Sequence, residues 1–513
     1  MKITDFNTIK QERIDDIPLL LNQLENMGVQ KLIDEYFPTH GNWKGISLGW
    51  VLVVWLSHIM SQQDHRLSYV QPWVEKRLGT LKLCTGQSIQ ELDFSDDRLE
   101  ASLRYLSQDK NWSEFECALG GNLVQVYDLS QEKVRLDSTT ASSYCEGNEE
   151  GLFQWGYSKD YRPDLRQAKI MLSTLDPIGM PIATEVVAGN SADDPLYIPA
   201  VHRVKETLNK SGLLMIGDCK MAALQTRAEI VRGEDYYLCP LSAKQVSPEE
   251  LKKYVLPVWQ GKQPTTDVEY NYADGKREKV AVGYQKLVPQ SALIGEQVLD
   301  WTERRLIVRS LKVAHKQEIT LRDRLAKAQL ALSSLGETKR GKKRLCTLED
   351  WQQASDEIIK HYRIQGLLQL NYKVKSETRS LRKYGKRPAC VKEATSISLD
   401  ITVDETALCE AINLLGWRVY VTNHPSETFS LNDAVVAYRD SYLMERGFGR
   451  LKNSPLSLTP MYLQREDHIK GLIRLLSIGL RVFTLLEWVV RRNLNQKQES
   501  KTRSLSWQST KIY

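Results

Sequence analysis

The stretch RLDSTT at residues 135–140 decides the fold, because a strand pattern that starts at Val134 ends there on the carboxylate of Asp137. The stretch MIGDCK at residues 215–220 has the same form, a short apolar strand followed by Gly217 and Asp218. A third stretch, YRDSYLMERGFGRLK at residues 438–452, has a helical pattern with Glu445 near its middle. Each stretch therefore presents one acid at a strand end or on a helix face.

The segments around these acids alternate in a definite order. Three strands are predicted, with a turn at residues 176–179 between the second and the third; then come a helix, a strand, a helix and a strand. The predicted segments are residues 134–137, 169–175, 182–187, 195–208, 213–216, 221–231 and 236–239. This is the order of the ribonuclease H-like fold, in which the first and fourth strands lie side by side. That fold would bring Asp137 and Asp218 together.

The length of 513 residues predicts more than one domain, since a single hydrophobic core stops growing near about 250–300 residues. The fold class we predict is α/β: a ribonuclease H-like catalytic core, interrupted by a β-rich insertion and preceded by a helical domain. The helical N-terminal domain is predicted over residues 1–128 and is a candidate for binding DNA ends. The core is predicted in two parts, residues 129–240 and 426–490, separated by a mixed β and α insertion at residues 241–425. Residues 491–513 form a basic tail.

Composition favours a soluble protein that works inside the cell. Hydrophobic residues make up 42% and charged residues 26% of the chain, and the net charge of +6 is compatible with a polyanionic partner. The eight cysteines lack paired C-x-x-C spacing, which indicates reduced thiols rather than a zinc site. Residues 1–10 show no apolar signal segment, and residues 46–60 are too short to span a membrane and predict a buried helix. We expect a cytoplasmic location, at the nucleoid when DNA is bound, and no membrane partner.

Two aspartates and a glutamate suit the chemistry of phosphodiester cleavage and transfer. Two Mg²⁺ ions about 3.5–4 Å apart can activate the attacking oxygen and stabilise the leaving oxygen. Such ions take hard carboxylate ligands together with water and substrate oxygens. Taken singly, Asp137 and Asp218 are more typical of caps or turns, and Glu445 of a solvated helix face. Their joint occurrence in this fold order favours the metal site.

The third stretch, treated as one continuous helix over residues 431–452, groups its charges by face. At about 100° per residue, Tyr438, Glu445 and Lys452 share one face. A neighbouring stripe carries three arginines, which could meet DNA phosphates or simply face solvent: Arg439, Arg446 and Arg450.

On these residues the chain resembles the DDE transposases of bacterial insertion sequences, in the family-four group, whose ribonuclease H-like core is split by a β-rich insertion. The matching pieces are residues 136–139, 156–167, Gly189-Asn190 before Asp193, 217–218 and 445–452. The family pattern on the last helix has an arginine where this chain has Ser441. Tyr157 likewise stands where histidine is common.

The resemblance implies a role for each matching residue. Asp137, Asp218 and Glu445 would be catalytic and bind two Mg²⁺ ions, for which Mn²⁺ may substitute. Tyr438 and Lys452 would contact the DNA backbone, with Arg439, Arg446 and Arg450 beside them. Lys159 and Arg162 would position the strand. The implied partners are double-stranded DNA, both as terminal inverted repeats and as target, and a second copy of the chain in a homodimer on DNA.

Further cations and aromatic residues could also contact DNA. Residues 339–344 and 373–387 are basic, and the second of these includes Tyr372 and Tyr384; a solvated loop is an equal alternative for each. A base flipped out of the DNA end would need an aromatic platform, for which Trp259 and Trp301 remain open candidates.

The function predicted from the sequence is a metal-dependent transposase that cleaves insertion-sequence ends and joins them to target DNA. Two alternatives stay open. One is a catalytically inactive, transposase-derived DNA-binding protein, which the departure at Ser441 makes conceivable. The other is a structure-specific nuclease of the same fold, which would lack the joining step.

Overall fold

The computed structural model describes residues 11–145, 150–272, 275–337, 345, 347–381, 390–461 and 463–509. For residues 376–381, 390–395 and 495–509 it describes the backbone alone. Its helices and strands are given below in chain order.

Seven α-helices come first in the described residues: α1 Ile17–Asn26, α2 Val29–Tyr36, α3 Leu48–Gln62, α4 Val70–Glu75, α5 Leu78–Thr85, α6 Asp96–Leu106 and α7 Asp109–Tyr127. Helix α3 is buried on nearly every side, and the Ser47 hydroxyl caps its first turn by accepting from the Trp50 backbone N–H. The buried helix predicted at residues 46–60 is therefore confirmed. None of the helices in the described part of the chain combines the length and the apolar character needed to cross a membrane.

A mixed sheet follows, formed from β1 Lys133–Ser143, β2 Arg166–Leu175, β3 Met180–Ala188, β4 Leu214–Gly217 and β5 Tyr236–Pro240, with α8 Tyr197–Leu208 and α9 Leu224–Arg232 between the later strands. The strand order is β3-β2-β1-β4-β5. Strands β1, β2 and β3 pair antiparallel, whereas β1, β4 and β5 pair parallel. The predicted adjacency of the first and fourth strands is confirmed, and its register sets Leu136 opposite Gly217.

The next stretch contains α10 Pro248–Trp259, β6 Thr266–Asn271, β7 Arg277–Ile294, β8 Gln297–Ser310, α11 Leu311–Ser333, α12 Leu348–Tyr362, β9 Leu368–Leu381, β10 Cys390–Val403, α13 Glu405–Leu414 and β11 Trp417–Thr422. Four of these strands have the order β11-β8-β7-β6, and β9 pairs with β10 in a separate hairpin. The predicted hairpin of β6 and β7 is present, although one of its two turn residues, Asp274, lies outside the described residues.

Three helices end the described chain: α14 Leu431–Arg439, α15 Tyr442–Lys452 and α16 Glu466–Ser509. The single helix predicted over residues 431–452 is wrong, because Asp440 and Ser441 separate α14 from α15. Asp and Ser side chains compete for backbone hydrogen bonds, which makes both residues weak helix formers. The polar tail predicted from residue 491 is helical, because the backbone of α16 continues through it as far as Ser509.

The chain divides into two compact units. The first contains residues 1–242, 287–304 and 421–513, and the second contains residues 243–286 and 305–420. The insertion predicted at 241–425 includes both segments of the second unit and also residues 287–304, which pack with the first. The second unit has a small core of its own, formed by Leu321, Leu325, Ala328, Ile364, Leu367 and Leu408.

A buried ion pair ties three elements of the first unit together. On β1, the Arg135 guanidinium donates to both carboxylate oxygens of Asp176, each at 2.7 Å, in the turn between β2 and β3. The same guanidinium donates to the Ala437 carbonyl on α14 at 2.6 Å. Arg135 and Asp176 are both buried. The start of β1, two residues before Asp137, is thereby fixed against α14.

We predict that Arg135→Met lowers the free energy of unfolding by about 3–5 kcal/mol, because it leaves the Asp176 carboxylate buried without a counter-charge. The double variant Arg135→Met/Asp176→Asn removes that orphan charge and recovers part of the loss, with a coupling of about 0.5–3 kcal/mol. Urea unfolding measures both values. A matched control is Arg232→Met, since Arg232 is exposed and its partner Glu229 also contacts His202, so the loss should leave the unfolding midpoint nearly unchanged. Strictly additive losses in the double variant would contradict the interaction.

Candidate active site

Asp137 and Asp218 lie at the centre of the candidate site. Asp137 continues β1 one residue beyond Leu136, and Asp218 follows Gly217 at the end of β4. Because Leu136 and Gly217 are partners in a parallel pair, Asp137 lies beside Asp218 where β4 ends. The predicted end of the first strand at Asp137 is wrong, since β1 continues to Ser143 and Asp137 pairs with Leu172 of β2. Both aspartate side chains are half-buried. The structure therefore brings together two of the three predicted acids.

The pKa of Asp137 reflects both its burial and the charges around it. Partial burial raises the pKa of Asp137 from 3.8 to about 6, and the negative charges of Asp218 and Asp193 push it in the same direction. Lys159 opposes this shift, with its Nζ 3.9 Å from Asp137 Oδ1. Two like charges held together at a strand edge are a costly arrangement that a bound cation would relieve.

Tyr197, which the sequence analysis did not single out, supports Asp218. It begins α8, is 2% exposed, and its hydroxyl donates to Asp218 Oδ1 at 2.7 Å. Burial first, and then the charges of Asp218 and Asp137, raise the pKa of Tyr197 well above its ordinary value, so its hydroxyl remains a donor. A Cβ at Gly217 would lie 3.0 Å from the Tyr197 ring and 2.7 Å from Met221 Sδ. Glycine there gives the tyrosine room to reach the carboxylate.

A second network runs beside Asp137. Lys159 Nζ donates to the carbonyl and the hydroxyl of Ser138, at 2.5 and 2.9 Å. The Ser138 hydroxyl donates to Asp193 Oδ1 at 3.0 Å, and Lys169 Nζ donates to the same oxygen at 2.7 Å. Asp193 was noticed in the sequence only as the residue after the Gly189-Asn190 motif. The network fixes Lys159 as the positive charge beside Asp137.

Glu445 does not join the two aspartates. It lies in the first turn of α15, a helix that packs beside β1, but its side chain is exposed. Within the part of the chain that the structure describes, no group of three or more His, Cys, Asp or Glu side chains is arranged to hold a metal ion. The break at Asp440 and Ser441 also removes the single helical face on which Tyr438 and Glu445 were placed together.

Lys452, predicted to contact DNA, lies at the end of α15. Its Nζ pairs with Asp160 Oδ1 at 2.5 Å, and burial lowers the pKa of Lys452. Tyr438 and Arg439 end α14, and both are half-buried. These three side chains come from two helices rather than from one face.

The other predicted DNA-binding arginines have carboxylate partners. Arg446 and Arg450 both pair with Glu487 of α16, at 3.0 and 2.5 Å. Arg162 pairs with Asp164 at 2.7 Å in the loop between β1 and β2. A phosphate would have to compete with these carboxylates for each arginine.

The remaining candidates for DNA contact lie elsewhere. The Trp301 indole N–H donates to the Tyr237 hydroxyl at 2.9 Å in the first unit, whereas Trp259 ends α10 in the second. The basic run at residues 339–344 lies outside the described residues, as does Tyr384 with most of the basic part of residues 373–387.

Comparison with known proteins adds little. No family model matches the chain, and no curated protein matches it in sequence. A solved structure titled as a cryo-EM structure of a piggyBac transposase synaptic complex with hairpin DNA aligns over 93% of this chain and 82% of its own. The two chains are 10% identical and the TM-score is 0.26, a value at which the likeness supports no argument about fold or function.

The proximity of the two aspartates predicts how the Asp137 carboxyl titrates. Asp218→Asn should lower the pKa of Asp137 from about 6, because it removes the like charge, and Lys159→Met should raise it further. Carboxyl ¹³C NMR titration of aspartate-labelled protein in metal-free buffer measures both shifts. The folded chain holds this proton more tightly than the unfolded chain does. Its contribution to stability is therefore full below pH 3.8 and lost as the pH rises through about 6. An unchanged pKa in Asp218→Asn would contradict the arrangement.

Proposed function

We propose that this protein is a DNA transposase with a ribonuclease H-like core, which cleaves the ends of an insertion sequence and joins them to target DNA by two-metal phosphoryl transfer. The observation that carries the proposal is the parallel pairing of β1 with β4, which sets Asp137 beside Asp218 at one edge of the sheet. Its partners would be double-stranded DNA and a second copy of the chain, in the cytoplasm.

The two aspartates fit Mg²⁺, which needs only one or two protein carboxylates and fills its remaining positions with water and substrate oxygens. Mn²⁺ has the same preference for oxygen ligands. Asp137 and Asp218 are adjacent carboxylates, and although burial is the main cause of the raised pKa of Asp137, the Asp218 charge adds to it, which supports a cation here. When bound, the metal ions would activate the attacking oxygen and neutralise the charge that develops on the phosphate.

The proposed roles of the protein side chains follow from their positions. Asp137 and Asp218 would hold the metal ions, and Tyr197 would orient Asp218. The proposed role of Glu445 as third acid ligand rests on the family resemblance and on the packing of α15 beside β1, since its exposed side chain is not grouped with the two aspartates in this structure. Lys159 would keep a positive charge next to Asp137, where a strand's phosphate must approach.

The DNA contacts proposed for Tyr438, Arg439 and Lys452 rest on the resemblance alone. The same holds for Arg162, Arg446 and Arg450, which have acidic partners in the structure. Serine at position 441 keeps one alternative open: a transposase-derived protein that binds DNA ends and does not cut them. A nuclease of the same fold would cut without joining.

The central prediction concerns Asp137→Asn, which should bind the element's terminal repeats as tightly as the wild type and lose cleavage with Mg²⁺ or Mn²⁺ by at least about 100-fold. The amide keeps the shape of the side chain but cannot supply a negative metal ligand. Gel assays on labelled terminal-repeat duplexes with a target plasmid report cleavage and joining together.

The matched control for this assay is Glu206→Gln, which neutralises an exposed acid on α8 and should cut normally. Equal cleavage by wild type and Asp137→Asn would contradict the proposal. Binding by the wild type without cutting in either metal would support the inactive derivative. Cutting without any joined product would support the nuclease.

A second prediction concerns Tyr197→Phe, which removes the hydroxyl that donates to Asp218 and leaves the ring in place. Side chains that orient metal ligands typically contribute about 10–100-fold in metal affinity or activity. We expect the Mg²⁺ concentration for half-maximal cleavage to rise about 10-fold, with DNA binding unchanged. A purely structural role would lower the melting temperature and leave the metal dependence as it was.

A further inference from the structure

Four exposed aromatic residues lie in the described parts of the segment between β1 and β2, in which Lys159 reaches the candidate site. Tyr157 is 85% exposed and Tyr161 is 89% exposed, and Tyr144 and Trp155 are each more than half exposed. None of them was assigned a role above. Large aromatic side chains usually bury most of their surface, so a group of four left in water points to a partner that covers them.

The backbone of residues 157–161 is held at several points, whereas the rings of Tyr157 and Tyr161 are exposed. The buried Gln167 side chain donates to the Tyr157 carbonyl at 3.0 Å, and the Lys159 backbone N–H donates to Thr140 Oγ1 at 3.0 Å. Asp160 is held by Lys452. Tyr161 has φ +57°, a left-handed conformation that is unfavourable for a bulky residue and is typical of functional positions. The fold therefore fixes the loop and presents the rings outward.

Three cations lie near these rings in the structure or in the sequence. The Arg162 guanidinium lies 5.9 Å from the centre of the Tyr144 ring, and Arg166 lies 5.9 Å from that of Trp155. Lys159 lies in sequence between Tyr157 and Tyr161 and extends toward Asp137. Rings interleaved with cations are the pattern that binds single-stranded nucleic acid, since bases stack on the rings while phosphates meet the charges.

We propose that Tyr144, Trp155, Tyr157 and Tyr161 form a stacking platform for the unpaired nucleotides of a DNA strand that enters the candidate site. The identity of the strand as DNA rests on the proposed function. A duplex keeps its bases stacked inside, so the platform would select a frayed or melted end over intact duplex.

The test is fluorescence anisotropy of the full-length protein with a fluorescein-labelled single-stranded DNA oligonucleotide, and separately with the matching duplex, in EDTA. Base stacking on one ring contributes about tenfold in affinity. Tyr157→Ala/Tyr161→Ala should therefore weaken single-strand binding by at least about tenfold and duplex binding by less than about threefold. Tyr157→Phe/Tyr161→Phe keeps both rings and should bind like the wild type.

Tyr272→Ala is the matched control, because it removes a partly exposed tyrosine from the second unit and should change neither affinity. The platform would be overturned if the double alanine variant bound single-stranded DNA as tightly as the wild type, or if it lost equal affinity for single strand and duplex. Tighter binding of the matching RNA strand by the wild type would also contradict it. Because EDTA prevents cleavage, the measured affinities do not depend on cleavage activity. If the protein binds single-stranded DNA through these tyrosines but never cuts DNA, the stacking platform would be supported and the transposase proposal would be contradicted.

Discussion

The ion pair of Arg135 with Asp176 is the constraint on which the candidate site depends. It is buried and bidentate, and its third donor contact reaches the Ala437 carbonyl. One guanidinium thus sets the position of β1, of the turn after β2 and of the end of α14. Asp137 lies two residues further along β1, and α14 leads through the short break into α15. A small displacement at this junction would therefore also displace Asp137.

Beyond that junction, the candidate site places two carboxylates of like charge next to each other. Asp137 and Asp218 are like charges on the neighbouring strands β1 and β4, with Lys159 on one side and the Tyr197 hydroxyl on the other. Structural ion pairs usually join opposite charges, whereas this arrangement holds two carboxylates next to each other. A site of this kind is suited to a divalent cation and a phosphate more than to the stability of the fold.

Much of the sheet could be predicted from the sequence, because strand and helix periodicities are local signals. The order of segments that placed the first strand beside the fourth was sufficient to bring Asp137 and Asp218 together. The parts that could not be predicted depend on contacts between distant residues. Arg135 with Asp176, and Tyr197 with Asp218, have no sequence signal beyond their residue types. The helix from 431 to 452 was misjudged because its apolar pattern continues across Asp440 and Ser441.

The first unit is assembled from three separate lengths of chain, and this affects how the protein can fold as it is synthesised. Helix α16 packs against α1, α3, α6 and β3, and its fully buried Arg481 meets Glu116 of α7 at 2.5 Å. Those partners leave the ribosome hundreds of residues earlier. Their apolar faces can be covered only once α16 has been synthesised, so this core closes late and stays prone to aggregation until then.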